Sequence, residues 1–276
     1  MLLALAVVAD VRAQRGPAPL SEEKAIRSAD WHQRQSAFAS LIGVDADEYR
    51  RGANPNVASL VRARLTPLAT SAADRRKRLL IELVATENAM VNGKADLRFR
   101  LGLAELPPAD RLSEEYLNYY GDVVAAVTAL ADVRSIDALA GAITTGEMVR
   151  GTLIAFGPPA VAAVASKTGA PDDQVRSAAV FTLGQMLARS KAIAGDPASR
   201  FLITDTLRAS ARDHSYLVRA RAVEGLVQLG DADSIAIVKE LASSDPYTYP
   251  AEYAERKGRY PVREAAAAVL KARGIR

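Results

Sequence analysis

The spacing of apolar residues predicts α-helices in the C-terminal half of the chain. In one recurring pattern, a Val-Arg pair is followed by small or apolar residues four and five positions after the Val and by Leu eight positions after it. These offsets lie on one face of an α-helix. The pattern begins at Val175-Arg176, Val218-Arg219 and Val262-Arg263. Its recurrence after 43 and then 44 residues predicts an all-α fold, an α-solenoid (superhelix) of stacked antiparallel helix pairs.

The same pattern assigns structural roles inside each repeat. A helix pair has an apolar side that is too wide to bury alone, and stacking a neighbouring pair covers it. The Val and Leu positions are therefore expected to face the core, and the Arg is expected at the edge between repeats. The structural repeat positions are Val175, Arg176, Val218, Arg219, Leu226, Val262, Arg263 and Leu270.

Regular repeats are predicted for residues 146–276. Their helices are expected at 147–156, 158–168, 173–189, 197–212, 215–229 and 232–243, with a closing helix at 261–273. Pro158 and Pro197 stand near predicted helix starts, where the missing N–H costs no hydrogen bond. Gly157 and Gly230 stand near helix ends, where a left-handed cap is common.

Residues 14–145 are predicted to form diverged helical repeats. Gln33-Arg34 occupies the Val-Arg offsets with Gln in place of Val. Asp74 is expected to cap a long helix that ends at Asn92-Gly93. Pro107-Pro108 and weak periodicity predict an irregular insertion over 94–111.

The segment VRARAVEGLVQLGDADSIAIVKELASSD at 218–245 resembles HEAT repeats of the bacterial, phycobilin-lyase-like type. The resemblance is strong over about 145–276 and weaker over 20–145. It implies that an Asp six residues before the Arg links neighbouring repeats, and Asp213 has this spacing from Arg219. The Asp residues before Arg176 and Arg263 do not share the spacing, so a regular Asp-Arg ladder is not expected.

Composition excludes several kinds of chemistry. The sequence has no Cys, so it has no disulfide framework, thiol nucleophile or Cys-ligated metal. His32 and His214 are the only histidines, and no paired-His metal motif, Gly-rich phosphate loop or GxSxG elbow is present. We therefore expect a noncatalytic protein without a cofactor or a metal.

The N-terminal residues resemble a secretory signal. An apolar run from Leu2 to Ala9 is followed by Val11-Arg12-Ala13, which has small or apolar residues where a signal peptidase reads. Residues 1–13 are interpreted as a signal peptide, which predicts a periplasmic or extracellular protein. The alternatives are a first apolar helix or a misassigned start codon, and either would predict a cytoplasmic protein. No other segment has the roughly 18 uninterrupted apolar residues that a membrane span needs.

A Tyr-rich, basic insertion at 246–260 interrupts the repeat before the last helix. Tyr and Arg side chains are common anchors at binding surfaces, and the cations suit a carboxylate, phosphate or sugar acid. The alternative is a loop that covers the end of the stack. The candidate binding residues are Tyr247, Tyr249, Tyr253, Arg256, Lys257, Arg259 and Tyr260. A second Tyr cluster, at 116–120, is expected to pack inside the fold.

The leading functional hypothesis is an exported scaffold that binds a protein or peptide partner on a concave helical surface. The second is binding of nucleic acid or another anion. The net charge of +4 lies entirely in residues 246–276, so residues 1–245 sum to zero, which argues against nucleic acid. The third, a lyase or chaperone for a tetrapyrrole-bearing protein, is implied only by the resemblance.

Overall fold

A computed structural model describes residues 21–52, 56–65, 70–100, 105, 107–250 and 255–275, with the backbone alone at 95–100. These residues form 15 α-helices and three short 3-10 helices, and they contain no strand. The prediction of an all-α solenoid is confirmed. The expected signal peptide at residues 1–13 lies outside the described residues.

The N-terminal half contains seven helices of very different lengths. They are α1 (Glu22–Ala25), α2 (Trp31–Ile42), α3 (Ala46–Arg50), α4 (Val57–Arg64), α5 (Ser71–Arg100), α6 (Glu114–Leu130) and α7 (Ile136–Gly141). The 3-10 helices here are Pro108–Asp110 and Val133–Ser135. Helix α6 packs against both α4 and α5, so it forms the centre of this half.

The C-terminal half contains the predicted helix pairs. Its helices are α8 (Glu147–Phe156), α9 (Pro158–Ser166), α10 (Asp173–Arg189), α11 (Lys191–Ala194), α12 (Pro197–Ser210), α13 (Tyr216–Leu229), α14 (Ala232–Ser244) and α15 (Pro261–Ala272), with a 3-10 helix at Lys167–Gly169. The pairs are α8 with α9, α10 with α12, and α13 with α14. Helix α15 packs on both α13 and α14. The one-turn helix α11 was not predicted.

Local sequence signals start and end these helices. The side chains of Asp172, Asp196 and Asp231 accept hydrogen bonds from backbone N–H groups in the first turns of α10, α12 and α14. These bonds satisfy donors that have no partner within the helix. Gly230 ends α13 with a φ of 69°, a left-handed conformation that favours glycine.

The repeat positions form a continuous core between the stacked helices. Val218, Leu226 and Val262 are almost completely buried, Leu270 is buried at the edge, and Val175 is partly buried. Two glycines let α10 and α13 approach closely. A Cβ atom on Gly184 would lie 3.1 Å from the Cα atom of Gly225, so side chains at these positions would push the helices apart.

Helix α5 differs from its predicted bounds at both ends. It begins at Ser71, and Thr70 Oγ1, rather than Asp74, accepts a hydrogen bond from the N–H of Ala73 at 3.2 Å. It continues through Gly93 to Arg100, so the irregular insertion predicted for 94–111 starts later. A single Gly costs a helix only about 1 kcal/mol, and residues 94–100 contain no Pro. The prediction that the helix ends at Asn92-Gly93 is therefore wrong.

Buried arginines join neighbouring helix pairs in a regular ladder, which the sequence spacing did not predict. Arg176 Nε lies 2.9 Å from Asp213 Oδ2, and Arg219 Nε lies 2.6 Å from Asp245 Oδ2. The carboxylate of Asp213 therefore pairs with the preceding repeat, not with Arg219. Each Arg also donates from Nη1 to the two backbone carbonyls five and six residues before it. Asp245 extends the ladder, since its carbonyl accepts a hydrogen bond from Arg263.

The diverged N-terminal half contains the same arrangement. Arg34 donates from Nη1 to the carbonyls of Ser28 and Ala29, again six and five residues earlier. Its Nε lies 2.6 Å from Glu87 Oε1 on α5, and both side chains are almost completely buried. Tyr116 and Tyr119 donate hydrogen bonds to the two carboxylate oxygens of Glu87. Burial raises the pKa of both phenols, so they remain donors at neutral pH.

We expect Arg34→Met to lower the free energy of unfolding by about 3–5 kcal/mol, because it leaves the Glu87 carboxylate buried without its cation. Urea denaturation measures this loss. The matched control is Arg27→Met, which removes a largely exposed ion pair with Glu82, another acidic residue of α5. The control should leave the urea midpoint nearly unchanged, because exposed ion pairs contribute little to stability. Equal effects of the two substitutions would contradict the role assigned to Arg34.

Candidate functional site

Tyr247 and Tyr249, in the insertion before α15, pack against the start of α13. The Tyr247 ring stacks on Tyr216 with 3.9 Å between ring centroids and 8° between ring planes. Tyr249 packs edge-on against both rings. The N–H of Tyr247 donates to Asp245, the acidic residue that pairs with Arg219. These contacts favour the covering role over the recognition role for Tyr247 and Tyr249, and Tyr253 lies outside the described residues.

The cations of the insertion also interact within their own segment. The Arg256 guanidinium lies 5.5 Å from the Tyr249 ring centroid, and Arg259 forms an ion pair with Glu264. Arg263 lies 4.0 Å from the ring centroid of Tyr260, which is half-buried. Lys257 is exposed. Arg256, Arg259 and Tyr260 thus have contacts within the insertion or with α15, and the role of the candidate residues in binding stays a prediction.

An exposed apolar patch lies on α12, the second helix of the central pair. Phe201 is 76% exposed, the largest fraction among the exposed large apolar side chains of the described residues. Pro197, Ala198 and Leu202 are also exposed, and their spacing places them with Phe201 on one side of the helix. We call these four residues the α12 patch. Asp205 and Arg200 are exposed beside it and give it a charged border.

The helix next to α12 presents a similar surface. Helix α9 packs against α12, and its Pro159 and Ala162 are exposed. Small or apolar residues are thus exposed on the second helices of two neighbouring repeats, although α12 also exposes Arg200 and Asp205. This surface was not predicted, because the repeat pattern locates only core positions. The sequence did contain an indication of it. In α12 the core positions are Ile203 and Leu207, and the apolar Phe201 lies outside their spacing.

A groove of about 260 Å³ crosses the first helices α10, α13 and α15. Phe181 lines it, and the Arg221 guanidinium lies 4.9 Å from the ring centroid. Arg221 pairs with Glu224, and Arg273 donates to Gln228. These polar groups already have partners within the groove. We therefore favour the α12 patch over the groove as a binding surface.

The part of the chain that the structure describes contains no candidate metal site. No group of three or more His, Asp or Glu side chains there is arranged to hold a metal ion. His32 contacts Asp30 and stacks on Trp31, and His214 contacts Arg176 and Asp213. Within the same residues, no helix is both long enough and apolar enough to cross a membrane.

Comparison with known proteins finds a match for part of the C-terminal half. Residues 158–256 match the family model of HEAT repeats. This segment runs from α9 into the terminal insertion and includes both arginine–aspartate pairs of the C-terminal ladder. The predicted resemblance to HEAT repeats is confirmed, but the match does not specify the phycobilin-lyase subtype. No curated protein matches the chain.

The covering role of the insertion predicts a change in the ionisation of Tyr216. Burial, followed by the nearby phenols of Tyr247 and Tyr249, raises the pKa of Tyr216 to about 12. In Tyr247→Ser the ring is uncovered, so the pKa should fall towards the ordinary value near 10. The free energy of unfolding should also fall by about 1–3 kcal/mol. Ultraviolet titration of the phenols, with Tyr216→Phe to assign the transition, measures the shift, and an unchanged pKa would contradict the covering role.

Proposed function

We propose that this protein, whose residues 158–256 are HEAT repeats, is a noncatalytic scaffold that binds a protein or peptide partner through the α12 patch. The observation that carries this proposal is the 76% exposure of Phe201 beside the exposed apolar residues Pro197, Ala198 and Leu202. Covering a Phe side chain on binding contributes roughly 1.5–3 kcal/mol, so this residue is the natural anchor for a partner.

The border of the patch indicates what the partner offers. Arg200 and Asp205 carry opposite charges on either side of Phe201. An apolar anchor with a mixed polar rim is typical of transient protein interfaces. We infer a partner segment that inserts an apolar side chain over Phe201 and places polar groups at its edges. The expectation of a concave binding surface stays a prediction.

Two other functions have less support. Nucleic acid or another anion requires free cations, whereas Arg256 and Arg259 of the insertion already interact with Tyr249 and Glu264. The exposed Lys257 supplies only a single positive charge for an anionic ligand. Binding that weakens steeply with added salt would favour this alternative. A lyase or chaperone for a tetrapyrrole-bearing protein rests only on the resemblance to one HEAT subtype.

Phe201→Ser should abolish partner binding while the fold remains intact, because Phe201 contributes little to the core. Immobilised protein is exposed to extract from its native cells, and the retained proteins are compared with those held by the unsubstituted chain. The matched control is Val133→Ser, which removes another exposed apolar side chain, at 60% exposure, far from α12 along the chain. The control should retain the same proteins, and equal retention by Phe201→Ser would contradict the proposal.

We further propose that the scaffold is exported. The support is the apolar run from Leu2 to Ala9, followed by Val11-Arg12-Ala13. N-terminal sequencing of the protein purified from its native cells should give a first residue of Gln14. A protein that retains Met1 would contradict export by this signal.

A further inference from the structure

A polar cleft separate from the α12 patch opens in the N-terminal half, between α2, α3 and α6. Its volume is about 320 Å³, which suits a small molecule. The residues that matter for recognition are Gln35, Tyr49, Arg50, Glu115, Asn118 and Asp122. The cleft shares no residue with the α12 patch, so a ligand site here is independent of the surface proposed to bind a protein partner.

The buried amide of Gln35 lacks a hydrogen-bond partner. Gln35 is 4% exposed, and its Oε1 atom is excluded from solvent without receiving a hydrogen bond. Buried polar atoms are almost always paired, because leaving one unpaired costs its full desolvation free energy. Gln35 lines the cleft. A ligand that brings an N–H or O–H donor into the cleft would satisfy this acceptor once the Gln35 amide turns its oxygen towards the cleft.

The electrostatics of the cleft favour a cation. Among the residues whose side chains are described, Asp122 has no cationic partner, and the exposed Glu115 forms no ion pair. Asp122 Oδ2 accepts only the phenol of Tyr49, at 2.6 Å. Burial raises the pKa of Asp122, although the Tyr49 hydrogen bond opposes the shift. Arg50 is the one cation that lines the cleft, and Asp47 neutralises it in an ion pair.

The chemistry of these groups favours an organic cation over a metal ion. Within the described part of the chain, no cluster of three acidic or histidine side chains could hold a metal. An ammonium group, in contrast, donates N–H bonds to carboxylate and amide oxygens, and it is also attracted by aromatic rings. The rings of Tyr49 and Tyr119 line the same cleft.

The two carboxylates, neither of which has a cationic partner, suit a ligand with two positive ends. Glu115, Asn118 and Asp122 occupy positions i, i+3 and i+7 of α6 and therefore share one side of the helix. Two helical turns separate Glu115 from Asp122, about 10 Å along the axis. A linear chain of five or six carbons with an ammonium group at each end spans this distance when each group bonds a carboxylate.

We propose that this cleft binds a linear diamine, with one ammonium group held by Asp122 and Gln35 and the other by Glu115. The buried Gln35 amide accepts from the inner ammonium group, and the hydrocarbon chain lies along α6 beside Tyr49. A monoamine fills only half of this arrangement. A quaternary ammonium ion such as choline has no N–H to donate to Gln35.

Isothermal titration of the full chain with 1,5-diaminopentane tests the proposal. Binding is expected to saturate at one site, and 1-aminopentane and choline should bind at least tenfold more weakly. Asp122→Asn and Gln35→Met should each weaken diamine binding at least tenfold. Gln35→Met should also leave the thermal midpoint unchanged or raised, because it removes an unpaired buried atom without loss of volume. That result would separate lost recognition from lost folding.

The matched control is Glu114→Gln, which removes an exposed carboxylate from the same helical turn but not from the cleft lining. It should bind the diamine as the unsubstituted protein does. The proposal would be overturned by the absence of saturable binding. It would also be overturned by equal affinity in Asp122→Asn and Gln35→Met, or by an equal loss in Glu114→Gln, which would indicate general attraction of cations to the acidic surface.

Discussion

The stack depends on buried arginines that fix two backbone segments and one carboxylate at the same time. Each of Arg34, Arg176 and Arg219 donates to two carbonyls just before its own helix and to an acidic side chain from a later element. Burying a guanidinium is costly unless its donors find partners. The arrangement supplies those partners, so it fixes the distance and the register between neighbouring units.

The surfaces of the molecule follow from this constraint. Asp245 accepts from Arg219 and stands where the terminal insertion leaves α14, so the insertion starts from a fixed point and returns over Tyr216. The close approach of α10 and α13 at Gly184 and Gly225 brings the first helices of two neighbouring pairs together, and Leu207 of α12 packs beside Gly225. In the N-terminal half, Tyr119 both donates to Glu87 and lines the polar cleft, so the buried pair also shapes a candidate ligand site.

The candidate sites were only partly predictable. The Tyr and basic residues of 246–260 were visible as a break in the period, but their packing against Tyr216 required the folded chain. Phe201 was present in the sequence as an apolar residue outside the core spacing, yet its 76% exposure depends on which elements cover α12. The cleft combines Gln35 with Asp122, which are far apart along the chain, and no local pattern connects them.

The sequence by itself determined the architecture, because the Val-Arg period and the helical spacing are local properties that act within one helix and its neighbour. It also located most C-terminal helices, since caps and prolines act within a turn. Only the tertiary structure decided the partners of the buried arginines. Arg34 pairs with Glu87, and Arg176 pairs with Asp213 rather than with either Asp beside it in sequence. The reason is physical: a buried charge takes the carboxylate that packing brings within hydrogen-bond distance, and packing joins residues that the sequence separates.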